Sequence, residues 1–194
     1  MVRSIIALCL CLIAGAARAE PAAPQPSRAE ILIARGERAL GRGQAFEAEG
    51  DFRDAIQHSP RDPRGYLALA GASLTRGAFG HAHEVLDAAE RLLGPHTALI
   101  LVRAEIFTRQ SRMAEARRCL RAGLAHMPGS SALLRALGLL LERMGRYTEA
   151  LATQRRLATS VDVPDELRAE AVLHARALSQ MLGPLDLARA FAPR

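Results

Sequence analysis

The feature that most constrains this chain is an internal period of 34 residues. Set in register from Ala29, Pro63, Thr97 and Ser131, four consecutive segments align without a gap. One column reads Leu32, Tyr66, Ile100, Leu134, and the next reads Gly36, Ala70, Ala104, Gly138. A turn column follows at Gly43, Gly77, Ser111, Gly145, then a small column at Ala48, Ala82, Ala116, Ala150. Phe52, Leu86 and Leu120 make a bulky column that Gln154 interrupts, and Ala55, Ala89 and Gly123 a small one that Leu157 interrupts. Proline closes the segments at Pro60, Pro95, Pro128 and Pro164. A repeat of this length has too little core for one unit to stand alone, so each unit must bury its faces against its neighbours.

The residue types say what the unit is. Glycine in the turn column supplies the left-handed residue that ends a helix, and Asp62-Pro63 supplies a cap and a first-turn proline for the next one. Small residues on the first helix are expected to face alanines on the second, letting the axes approach the short end of the usual spacing of about 8–10 Å. Aromatic content is only 4% with no Trp, so the core must come from Leu and Ala. Gln154 and Leu157 are expected to loosen the fourth unit.

This column pattern resembles the tetratricopeptide repeat family over residues 29–164, divided as 29–62, 63–96, 97–130 and 131–164. Arg35 and Arg103 depart from it where the family usually has Leu, and Pro95 and Pro164 fall one and two residues late. The resemblance implies an all-α fold, a right-handed superhelical solenoid of four helical hairpins. Residues 165–194 read as a C-terminal cap: a helix over Asp165 to Leu182 in the same register, packing through Leu167, Ala171, Leu178 and Leu182, then a short second helix over Leu185 to Ala192 as a partial fifth unit.

Residues 1–19 read as a secretory signal peptide, with Arg3 in the n-region, an apolar stretch from Ile5 to Gly15, and Ala17-Arg18-Ala19 as a cleavage site before Glu20. The apolar stretch is far below the roughly 20 residues needed to cross a bilayer, so no permanent membrane span is expected. Cys9 opens the alternative of a lipid anchor, against which Leu8 stands where a small residue is wanted. Residues 20–28 are a Pro- and Ala-rich linker, at whose end Ser27 forms a capping box with Glu30. Loss of the leader removes Arg3 and Arg18 and lowers the formal charge from +6 to +4. The arginines are spread along the chain, which together with export argues against a nucleic-acid partner. Lys and Asn are absent altogether, which excludes the Lys/Asn clamp with which some relatives in the family hold chaperone C-termini.

Catalytic groupings are poor. His81 and His83 stand two apart on a helix and so point to different sides, reading as surface histidines rather than a metal pair. Glu47 and Glu49 fail for the same reason. Cys119 lies among Arg117, Arg118 and Arg121, which could lower its pKa, but it has no companion base and reads as a helix-filling residue. The chain therefore reads as a non-enzyme with no catalytic, metal-binding or cofactor residue. In the family the first helices line a concave groove, and the resemblance places Glu30, Ile33 and Glu37, then Arg64, Leu67, Gly71 and Leu74 along it. Leu101, Glu105 and Arg109 follow, then Arg135, Leu139, Glu142 and Arg143, then Glu170, Leu173 and Arg176. Apolar centres edged by both charge signs suit a helix or extended peptide. The expected role is a periplasmic scaffold or adaptor for a protein of a cell-envelope assembly, of the secretion, pilus or polysaccharide-export kind. The alternative is a membrane-surface or lipid-anchored module of a Flp/Tad-type pilus-assembly system.

Overall fold

A computed structural model describes residues 25–160 and 163–183. The leader and its cleavage point, Cys9, the start of the linker and the helix expected over 185–192 lie outside the described residues. Within them the chain forms α-helices and no strands: α1 (Arg28–Gly41), α2 (Ala45–His58), α3 (Pro63–Thr75), α4 (Phe79–Leu93), α5 (Thr97–Arg109), α6 (Met113–His126), α7 (Ser131–Arg143), α8 (Tyr147–Thr159) and α9 (Asp165–Met181). Each helix packs on the next, and α1, α3, α5 and α7 also pack side by side. No helix among the described residues is long and apolar enough to cross a membrane.

The two helices of a hairpin start differently. First helices are capped by side chains: Ser27 accepts from Glu30 N in a full capping box, Asp62 from Arg64 N, His96 Nδ1 from Ala98 N and Ser130 from Leu133 N. Second helices have no side-chain cap, because the turn before each is closed by backbone. Gly43 N donates to Leu40 O and Gln44 N to Ala39 O, and the same pair of bonds recurs at Gly77, Ser111 and Gly145. All four turn residues have positive φ, 76°, 74°, 59° and 69° in order. Three are the glycines that this conformation favours, and Ser111 adopts it at a steric cost.

Packing between the helices of a hairpin differs from the expectation in one respect. The small residue of the first helix faces the bulky column of the second rather than its alanines: a Cβ on Gly36 would collide with the Phe52 ring, and one on Gly138 would lie 2.8 Å from Gln154 Nε2. Ala48, Ala82, Ala116 and Ala150 are fully buried in the same interface. The fourth unit is not loosened, as Gln154 and Leu157 are both buried. Gln154 fills the seat that Phe52 takes in the first unit and satisfies its amide by donating to Glu142.

Between units, Leu69 and Leu137 fill the junctions on either side of the third unit's, and both are buried. Arg103 occupies the equivalent place there, and the apolar core divides at this junction, Leu99 and Ile106 belonging to one half and Ile100 and Ala104 to the other. Arg35, the corresponding residue of the first unit, has no preceding helix to pack against among the described residues. It lies on the outside, paired with Asp51 of α2. After the fourth hairpin α9 packs on α8, burying Ala171 and Leu178 and half-burying Leu167.

Candidate protein-binding groove

The first helices pack side by side, and two hollows open over α5 and α7. A hollow of about 280 Å³ is lined by Leu101, Ala104, Glu105, Thr108, Leu120, Ala136, Leu139, Leu140 and Arg143. A second, of about 390 Å³, shares Leu101, Ala136 and Leu139 and continues past Ser131, Ala132 and Arg135 to Leu167. The fold therefore gathers Leu101, Glu105, Arg135, Leu139 and Arg143 around one apolar floor. Leu67 is half-buried on the neighbouring helix α3.

Other groove candidates go elsewhere. Ile33 and Leu74 are buried, because side-by-side packing of α1 on α3 and α3 on α5 consumes the surface they would have offered. Arg176 lines a separate hollow of about 500 Å³ between α8 and α9. Leu173 is 63% exposed on α9.

Most of the expected groove charges are spent on one another. Glu30 pairs with Arg64 at 3.1 Å, Glu105 with Arg109 at 2.8 Å, and Arg135 with Glu170 at 3.0 Å. Glu142 accepts from Gln154 at 3.0 Å and from His174 Nδ1 at 3.0 Å. The backbone N–H of Ser27 and the guanidinium of Arg64 hold the Glu30 carboxyl below the ordinary carboxylate range. Exposed pairs of this kind add little to stability, but they orient the side chains that edge the groove. Among the described residues, Glu37, Arg143 and Arg176 make no ion pair or hydrogen bond and remain available to a partner.

No protein-family model matches the sequence, and no curated protein matches it. Solved structures do. A thermophilic TPR protein of Thermus thermophilus, TTC0263, aligns with a TM-score of 0.61 and 24% identity, covering 78% of this chain and 82% of its own. Yeast Tom70 aligns with a TM-score of 0.63 and 17% identity over 87% of this chain and 37% of its own. A tetratricopeptide repeat protein of Parabacteroides merdae gives 0.57 and 17% identity over 84% of this chain and 64% of its own. This chain has the tetratricopeptide-repeat fold.

Several features of this tetratricopeptide-repeat chain were not read from the sequence. Glu49 is buried and carries two arginines, Arg76 at 2.6 Å and Arg53 at 3.1 Å. Arg76 also lies 3.8 Å over the ring of exposed Phe46. His81 and His83 are not plain surface residues. His81 Nδ1 lies 2.7 Å from the hydroxyl of buried Ser73, and the His83 ring lies tilted against Phe107 with ring centroids 4.8 Å apart. The two point to different neighbours, as expected for residues two apart, and among the described residues no cluster of His, Cys, Asp and Glu has the arrangement of a metal site. The Cys119 thiol is pushed up, not down, because burial outweighs the nearby Arg103 guanidinium and Glu90 adds to it. Arg117 and Arg121 are turned to Glu149 instead.

Proposed function

We propose that this protein is a periplasmic scaffold that holds a helix or extended peptide of a cell-envelope protein in its concave groove. The observation that carries the reading is the apolar floor formed by Leu101, Ala136 and Leu139, shared by two adjoining hollows and edged by fixed ion pairs. Two apolar side chains of a partner fit these hollows, and an acidic residue beside them matches the unspent Arg143. Such a site works by exclusion of water from a small central patch, with the charged edge setting orientation. The tetratricopeptide-repeat fold supports a role in binding over one in catalysis. The sequence of residues 1–19 supports export, and the Ala17-Arg18-Ala19 site supports release at Glu20.

The test has two parts. Intact mass of the protein from a periplasmic fraction is expected to correspond to a chain beginning at Glu20, while a lipid-modified Cys9 species favours the anchored alternative. Affinity capture of the exported protein after in-cell crosslinking is expected to yield a reproducible envelope protein that Leu139→Glu loses. Recovery of the same protein by Leu139→Glu at the wild-type level overturns the groove.

A further inference from the structure

A cleft of about 680 Å³ opens between α4, α5 and α6, on a different face of α5 from the groove. Arg103, which lines it, stands at the junction of the second and third units. Where Leu69 and Leu137 fill the equivalent space, the Arg103 guanidinium is drawn aside to Asp87 at 2.7 Å and Glu90 at 3.0 Å on α4. Glu149 ties α8 to α6 through Arg121 at 2.5 Å and Arg117 at 3.8 Å, whereas no ion pair or hydrogen bond among the described residues joins α4 to α6.

The chemistry of the walls narrows what can enter. Ile100 and Phe107 of α5 and Ala122 and Gly123 of α6 give apolar surface, and the Cys119 thiol faces the same space. The α6 wall runs from Glu115 to His126, which on a helix spans about 16 Å, so the cleft is elongated. Its volume falls in the range of small-molecule sites, roughly 300–1,000 Å³. The acids at its edge are already committed, Glu90 to Arg103 and Glu115 to Arg112 at 3.1 Å. Arg118 is not held in this way: its side chain is exposed at the rim and makes no ion pair or hydrogen bond among the described residues, although its charge acts on Glu115 from a distance.

We propose that this cleft binds a small amphiphilic monocarboxylate, its alkyl body along Ile100, Phe107 and Ala122 and its carboxylate on Arg118. A cationic amphiphile finds no uncommitted acid there, and a wholly polar ligand leaves the apolar walls uncovered. None of these residues belongs to the groove, so the proposal stands or falls apart from the scaffold role.

Cys119 reports occupancy directly. In the full-length chain, its alkylation by N-ethylmaleimide is followed by peptide-resolved mass spectrometry, so that Cys9 and Cys11 are read separately. The probes are decanoate and decyltrimethylammonium, both below micelle-forming concentrations. At ten times its Kd decanoate leaves about one tenth of the clefts open by mass action, so Cys119 alkylation is expected to slow about tenfold. Decyltrimethylammonium is expected to change it little, and Arg118→Gln, an exposed substitution, to lose most of the decanoate effect. The melting temperature gives a second reading: decanoate raises it in the wild type and not in Arg118→Gln. No protection and no thermal shift, equal effects of the two amphiphiles, or an undiminished effect in Arg118→Gln overturns the proposal. So does faster alkylation with loss of helical signal, which means that decanoate opens the fold rather than filling the cleft.

Discussion

Gln154 Nε2 donates to Glu142 Oε1 at 3.0 Å, from a side chain that is 2% exposed and stands over Gly138. The same carboxylate receives His174 of α9, so one buried amide and one carboxylate join the fourth hairpin to α9. Gln154→Ala removes both the filling of the seat and the bond, with an expected loss of about 2–4 kcal/mol. Gln154→Leu, which matches Leu86 and Leu120 of the other units, is expected to cost under about 1.5 kcal/mol. Denaturant titration measures both, and equal losses would mean that the hydrogen bond and not the seat holds the unit.

Ser111 is the turn residue at which positive φ meets a side chain. Ser111→Gly is expected to raise stability by about 0.5–1 kcal/mol, and Gly77→Ala to lower it by about 1–2 kcal/mol, in a thermal melt. A Ser111→Gly protein less stable than the wild type would place an unseen contact on the Ser111 side chain.

The repeat was legible because its columns are packing positions, and packing positions recur when each unit meets its neighbour in the same way. Leu32, Gly36, Gly43 and Ala48 each predicted a core or turn position that the structure fills. Ion pairing was not legible. Arg135 and Glu170 lie 35 residues apart on different helices, and no local pattern says that they spend their charges on each other. Burial misled at Ile33 and Leu74 because helices in an array bury two faces, one in the hairpin and one against the next unit. The same geometry explains His81 and His83: α4 has α3 on one side and α5 on the other, so residues two apart both find partners.

Ala116 tests how little room the second helices leave. It is fully buried, so Ala116→Leu is expected to cost about 1–3 kcal/mol by overpacking. Ala125→Leu, on the exposed side of the same helix, is expected to stay within about 0.5 kcal/mol. Equal melting temperatures for the two variants would contradict the hairpin packing.

His83 gives stability a pH dependence. Burial first, and Arg103 second, hold its pKa below the ordinary value, against the raising effects of Gln110 and of the Asp87 charge. Below about pH 6.5 the unfolded chain therefore binds a proton that the folded chain refuses, and stability falls as pH drops through that point. His83→Phe keeps a ring against Phe107 and removes the titration. Its melting temperature is expected to vary less between pH 7 and about pH 5.5 than that of the wild type. A variant that keeps the full wild-type slope would assign it to another group.

The most direct test of the groove is site-specific photo-crosslinking in the living cell, with the reactive residue placed at Leu139 on the floor shared by the two hollows or at Ala152 on the exposed face of α8. Discrete protein adducts at Leu139, absent at Ala152 and weakened by Arg143→Glu, are the predicted result. No adduct at Leu139, or the same adducts from both positions, would contradict the account.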